Sequence, residues 1–160
     1  GLLRQIAGGS RQNSRRKPDV CIARGKKDCR KTEGKFALMV TFKVNDLKNM
    51  NSQLKAFSEF LRLGGAGDDD IFASRLVSCE LITNVIRHGG DEAEFTGTIA
   101  GDKIIITVAA DSLKDINLNR PAPDVFAENG RGLYIVKSFC CELCRGESGE
   151  VRVVIRRHAK

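Results

Sequence analysis

The sequence has little of what would place it in a membrane or in a disulfide framework. No uninterrupted apolar run approaches the ~18–20 residues that a membrane span needs. The opening GLLRQIAGGS carries too short an apolar stretch for a secretory signal. Six cysteines in 160 residues are few, and they lack the regular spacing of a small secreted scaffold. The first 34 residues contain no aromatic side chain, so base stacking cannot give them sequence-specific recognition of nucleic acid. The expectation from these absences is a soluble cytoplasmic protein with reduced thiols.

Hydrophobic residues make up 41% of the chain and charged residues 29%, enough apolar surface for one packed domain and too much for wholesale disorder. The net charge of +7 is unevenly placed. Residues 1–34 hold ten Lys and Arg against three acids, which accounts for the whole surplus, and the rest is balanced at 17 of each sign. With no sustained apolar period, residues 1–34 are expected to be a basic tail or linker, dispensable for folding and able to attract polyanions without specificity. Residues 35–160 are expected to form the domain.

Residues 35–44 (KFALMVTFKV) are rich in β-branched and aromatic residues and read as a strand. Asn45 or Asp46 then offers an N-cap, and Leu47, Met50, Leu54, Phe57, Phe60 and Leu61 follow at helical spacing until Gly64 and Gly65. Asp68, Asp69 and Asp70 open a second helix with acids at its positive end; its apolar stripe runs from Ile71 to Ile86, before Gly89 and Gly90. Residues 92–100 and 103–110 alternate as two strands about Gly101-Asp102, a two-residue hairpin signal. Residues 111–129 show no period and carry two prolines, a loop long enough to suggest a lid. Leu133, Val136, Cys140 and Leu143 mark a third helix from Gly132, and residues 150–157 close as a strand. This order predicts an α+β two-layer sandwich, with helices on one face of a mixed, largely antiparallel sheet.

Three clusters could carry chemistry. Glu80, Asn84 and His88 fall at i, i+4 and i+8, stacked along one helix face. Glu80 could take a proton, and Asn84 could offer its carbonyl oxygen to Mg²⁺, which keeps waters and takes further ligands from phosphates. Alone, the same stripe also fits an ordinary solvated helix face. Gly130-Arg131-Gly132 opens the third helix, where backbone N–H groups can approach a phosphate, although glycines also simply begin helices. Cys140, Cys141 and Cys144 include one C-x-x-C pair but no second pair to complete a zinc site, so packing is the favoured reading. His88, before two glycines, reads as a partner of the helix C-terminus.

Together these segments resemble one family. CELITNVIRHGG (79–90) looks like the N-box, and NGRGLYIVKSF (129–139) like the second glycine box, of the GHKL (Bergerat-fold, histidine-kinase-like) ATPase superfamily. Within it, residues 35–160 are most similar to the bacterial anti-sigma-factor serine kinases. The resemblance implies ATP and Mg²⁺ as cofactors, Glu80 as general base, Asn84 as Mg²⁺ ligand, Asp111 as acceptor from the adenine amino group, and Gly130, Arg131 and Gly132 as the phosphate-binding turn. It implies transfer of the γ-phosphate to a serine of an anti-anti-sigma protein and sequestration of a sigma factor; a homodimer is also compatible. The family's first glycine box reads D-x-G-x-G, whereas this chain has Asp111-Ser112-Leu113-Lys114-Asp115. With both glycines gone, the loop is expected to take another path or the adenine to sit differently. The alternative function is a partner-binding domain of the same fold with a degraded adenine pocket.

Overall fold

The computed structural model of the chain describes residues 19–23, 37–89, 92–121 and 130–158. Its elements run β1 (Asp19–Ala23), β2 (Ala37–Val44), α1 (Leu47–Leu63), α2 (Asp68–Arg87), β3 (Ala93–Ala100), β4 (Lys103–Ala109), a 3₁₀ turn (Asp111–Leu113), α3 (Arg131–Phe139), β5 (Glu142–Arg145) and β6 (Val151–Arg156). The six strands form one sheet in the order β1-β2-β3-β4-β6-β5, with every neighbouring pair antiparallel. This is the expected two-layer α/β architecture, with the helices packed on one face.

Strand alternation divides the sheet. Val40, Phe42 and Val44 of β2, Phe95 and Ile99 of β3, Ile104, Ile106 and Val108 of β4, and Val151, Val153 and Ile155 of β6 turn toward the helices and are buried. Intervening positions such as Thr41, Thr96 and Thr107 turn to the other face, since successive side chains on a strand point to opposite sides. The Gly97 position lets α1 lie close: a Cβ there would run into the Phe57 ring, which instead meets Phe95 edge-on at 4.8 Å between centroids. Full burial of a side chain such as Phe57 contributes about 1.5–3 kcal/mol.

Local sequence fixes the helix ends. Asp46 caps α1, its Oδ1 accepting from the Asn49 N–H at 2.6 Å. The helix stops at Gly64, and Gly65 adopts a positive φ of 78° that turns the chain toward α2. α2 begins after Gly67 without a side-chain cap; Asp68 and Asp69 face solvent near its positive end. Asp70 goes inward and is only 1% exposed. Its carboxylate accepts from His158 Nδ1–H at 2.7 Å, with the ring in the tautomer that donates there, and from the His158 backbone N–H. Arg157 beside it donates to the Gly64 and Gly101 carbonyls, so the end of β6 fastens the α1–α2 corner to the β3–β4 turn.

Two segments differ from expectation. The third helix ends at Phe139: Cys140 is extended (φ −110°, ψ 151°), and residues 142–145 form β5 instead of a further helical turn. Leu143 joins the core edge from a strand, opposite Val153 on β6. The 3-4 spacing of Leu133, Val136, Cys140 and Leu143 is therefore produced by a helix followed by a strand. The hairpin is closed by the Gly146 N–H on the Glu150 carbonyl and by Gly149 at φ 88°. The second difference lies in the basic segment, where Asp19–Ala23 pairs with β2 in the register Val20↔Val40 and adds an edge strand. The rest of residues 1–34, Gly90, and residues 122–129 of the long loop lie outside the described residues.

Candidate functional site

α2 carries Glu80 and Asn84 one turn apart in its second half, both half-buried. α3 packs against this helix. Its first turn is set by Gly130, which caps the helix in the left-handed region at φ 89°, a conformation that a side chain would strain. Gly132 then lies directly over the α2 face. A Cβ at Gly132 would stand 2.6 Å from Glu80 Oε2 and 3.6 Å from Asn84 Nδ2. The fold thus brings together Glu80, Asn84 and Gly132, which are 52 and 48 residues apart from the glycine in sequence. No side-chain cap engages the N-terminus of α3, and no hydrogen bond or ion pair with another described residue engages the Glu80 or Asn84 side chain. Arg131, in the same turn, is exposed. His88 caps the C-terminus of α2, one turn beyond Asn84, its N–H on the Asn84 carbonyl.

Asp111 lies on a different element, a 3₁₀ turn that packs on α2. It is the first residue of the 3₁₀ turn after β4, and its side chain is 96% exposed. Lys114 Nζ meets its Oδ1 at 2.7 Å. The hydrogen bond and charge of Lys114 hold the Asp111 carboxyl below the usual carboxylate range, and Asp111 raises Lys114 in return. Leu113, two residues on, is fully buried and belongs to the main core cluster. The turn is a right-handed ladder, with the Leu113 N–H on Ala110 O and the Lys114 N–H on Asp111 O. No left-handed residue is needed in this segment, where the chain winds as 3₁₀ and drops Leu113 into the core.

Arg145 holds that path in place. From β5 its guanidinium donates Nη1–H to the carbonyls of Leu113 (2.7 Å) and Gly149 (2.9 Å), and Nη2–H to Ile116. One side chain thus ties the 3₁₀ turn to the β5–β6 turn. Sequence reading missed it because residues 142–145 carried a helical pattern, in which Arg145 had no stated partner. The Lys114 partner had a signal in the i, i+3 spacing from Asp111.

A cleft of about 390 Å³ opens on the side of α3 turned away from Gly132, lined by Arg120, Gly130, Leu133, Tyr134 and Lys137 among others. Lys137 Nζ donates to the Arg120 carbonyl across it at 3.0 Å. The cysteines have separated: burial pushes the half-buried Cys140 thiol up, and burial followed by the Glu142 charge does the same for Cys144 on β5. No helix among the described residues is long and apolar enough to cross a membrane. No protein-family model matches the chain, and no curated protein matches it.

Proposed function

We propose that the chain is a GHKL-type, Mg²⁺- and ATP-dependent serine kinase that phosphorylates an anti-anti-sigma protein and holds a sigma factor. The observation that carries this reading is the approach of Gly132 to Glu80 and Asn84, because it joins the two resembling motifs in one place. The donor chemistry there suits the cofactors. An amide oxygen on Asn84 is a hard ligand of the kind Mg²⁺ takes, and the uncapped N–H groups at the start of α3 are donors for phosphate oxygens. Gly132 lies so close to α2 that a Cβ at this position would press on the Glu80 carboxylate.

In this reading Asn84 holds Mg²⁺, and the turn at Gly130, Arg131 and Gly132 holds the phosphate chain. Bound Mg²⁺ supplies neutralisation of phosphate charge. Glu80 Oε2 accepts the proton of the incoming serine hydroxyl, and α2 places Glu80 one turn from the metal ligand. A partner-binding domain that does not transfer phosphate is the second reading. The exposed position of Asp111 and the burial of Leu113 favour it.

Calorimetric titration with ATP, with and without Mg²⁺, separates these cases from the absence of a site. The kinase reading expects Mg²⁺-dependent binding, followed by labelled phosphoserine on a partner captured by pull-down. Binding without transfer to a captured partner supports the second reading, and no binding of any nucleoside triphosphate overturns both nucleotide assignments.

A further inference from the structure

We propose that the cleft on the outer face of α3 is a second ligand site, which takes a small organic dianion: two carboxylates, or one phosphate group, on an apolar body. This site does not depend on the reading of Glu80, Asn84 and Gly132, and its ligand has no part in that reading.

α3 presents two opposed faces. Gly132 and Val136 turn toward α2 and the core. At about 100° per residue, Leu133, Tyr134 and Lys137 fall on the far side. Residues 119–121 of the long loop pass over that side and enclose the cleft of about 390 Å³, a volume within the ~300–1,000 Å³ usual for small-molecule sites. Its charged lining is of one sign, Arg120 and Lys137 with no acid. Neither makes an ion pair with another described residue. Surface cations ordinarily extend into water. Lys137 instead holds its Nζ across the cleft, donating one N–H to the neutral Arg120 carbonyl and keeping two to give. Arg120 reaches back the other way: its Nη1 stands 4.0 Å from where a Cβ on Gly130 would be, so the guanidinium lies against the start of α3. Two positive charges thus share one concavity without a counter-charge among the described residues. A dianion supplies both, and the guanidinium fork matches the paired oxygens of a carboxylate or phosphate. Leu133 and the half-exposed Tyr134 ring offer an apolar wall for the rest of the ligand.

The test is calorimetric titration of the full chain with phenyl phosphate, isophthalate, benzoate and benzyl alcohol. One or both dianions should bind saturably, about tenfold or more tighter than singly charged benzoate, and benzyl alcohol should not bind. The tighter dianion identifies the headgroup. Lys137→Met and Arg120→Gln are exposed changes that leave the core intact, and each should weaken that dianion about tenfold or more, with Lys137→Arg retaining it. Asn84→Ala, a change on the Gly132 side of α3, should leave its Kd within about twofold. No saturable binding of either dianion, equal affinity for benzoate, or unchanged affinity in either charge-removing variant overturns the inference. A loss in Asn84→Ala puts the probe between α2 and α3; that also overturns it, and leaves the nucleotide reading standing.

Discussion

At Gly132, stability and chemistry separate. A methyl group there meets Glu80 Oε2 at 2.6 Å, but that oxygen is the free end of a flexible side chain. Gly132→Ala should therefore leave the thermal midpoint unchanged or slightly raised, since alanine is the better helix residue by about 1 kcal/mol. On the proposed kinase reading, phosphoryl transfer should nevertheless fall, because the carboxylate has been displaced. Glu80→Gln keeps the volume and removes the proposed base, so on the kinase reading it should slow transfer by roughly 10²–10⁴-fold with ATP affinity nearly intact. Equal transfer rates in wild type and both variants would take Glu80 out of the reaction. Asn84→Ala should weaken binding of ATP with Mg²⁺ far more than binding without it; equal losses would remove Asn84 from the metal site. The Asp111–Lys114 pair gives a pH signature. A depressed carboxyl contributes stability above its unfolded value and loses it as pH falls through the folded one, while a raised lysine loses its share as pH rises through the folded value. Lys114→Met should thus lie slightly below wild type in thermal midpoint near neutral pH, and the gap should close in acid. Exposure keeps the effect small, and a gap that widened in acid would contradict the pairing.

Among the elements, legibility followed the length of the periodic pattern. α1 and α2 are long, with apolar residues at helical spacing and readable ends at Asp46, Gly64 and the glycines after Ile86, so their bounds could be anticipated within a few residues. The β3–β4 hairpin was readable from Gly101-Asp102, and Gly101 does take a positive φ of 61°. β5 was hidden because four residues hold only two alternations, and Leu143 also continued the spacing of α3. β1 was hidden by the charges around it, although DVCIA alternates Val20 and Ile22 with its neighbours. At the site, the Glu80–Asn84 spacing was readable on one helix and the glycine turn on another. Their meeting was readable only through the resemblance, and the outward turn of Asp111 was not readable at all, since it depends on Arg145 from a strand the pattern concealed. β1 also changes what truncation should do. Removing residues 1–18 should leave the thermal midpoint within a few degrees, whereas removing 1–36 strips the partner from β2 and should lower it further. Identical midpoints for the two truncations would show that β1 adds nothing measurable.

For the molecule as a whole, the contacts after β6 bind parts that no single element connects. Asp70 is buried and satisfied by His158, while His158 itself is 82% exposed in its side chain. Asp70→Ala should cost about 1–3 kcal/mol, because it leaves the His158 backbone N–H without its acceptor. His158→Ala keeps the backbone bond and should cost less, a difference that denaturant melts of the two variants would reveal. The antiparallel order also has a consequence in time. β6 lies inside the sheet between β4 and β5, yet it follows every other described element in the chain. As the polypeptide leaves the ribosome, β2, α1, α2, β3 and β4 can gather early, but Ile104, Ile106 and Val108 lack their neighbour until the last strand emerges. During that interval β4 is an open, isoleucine-rich margin of the kind that invites pairing between nascent chains. Synthesis that stalled before residue 151 would leave each unfinished molecule carrying that sticky border, so a chaperone has most to do in the interval before β6 emerges.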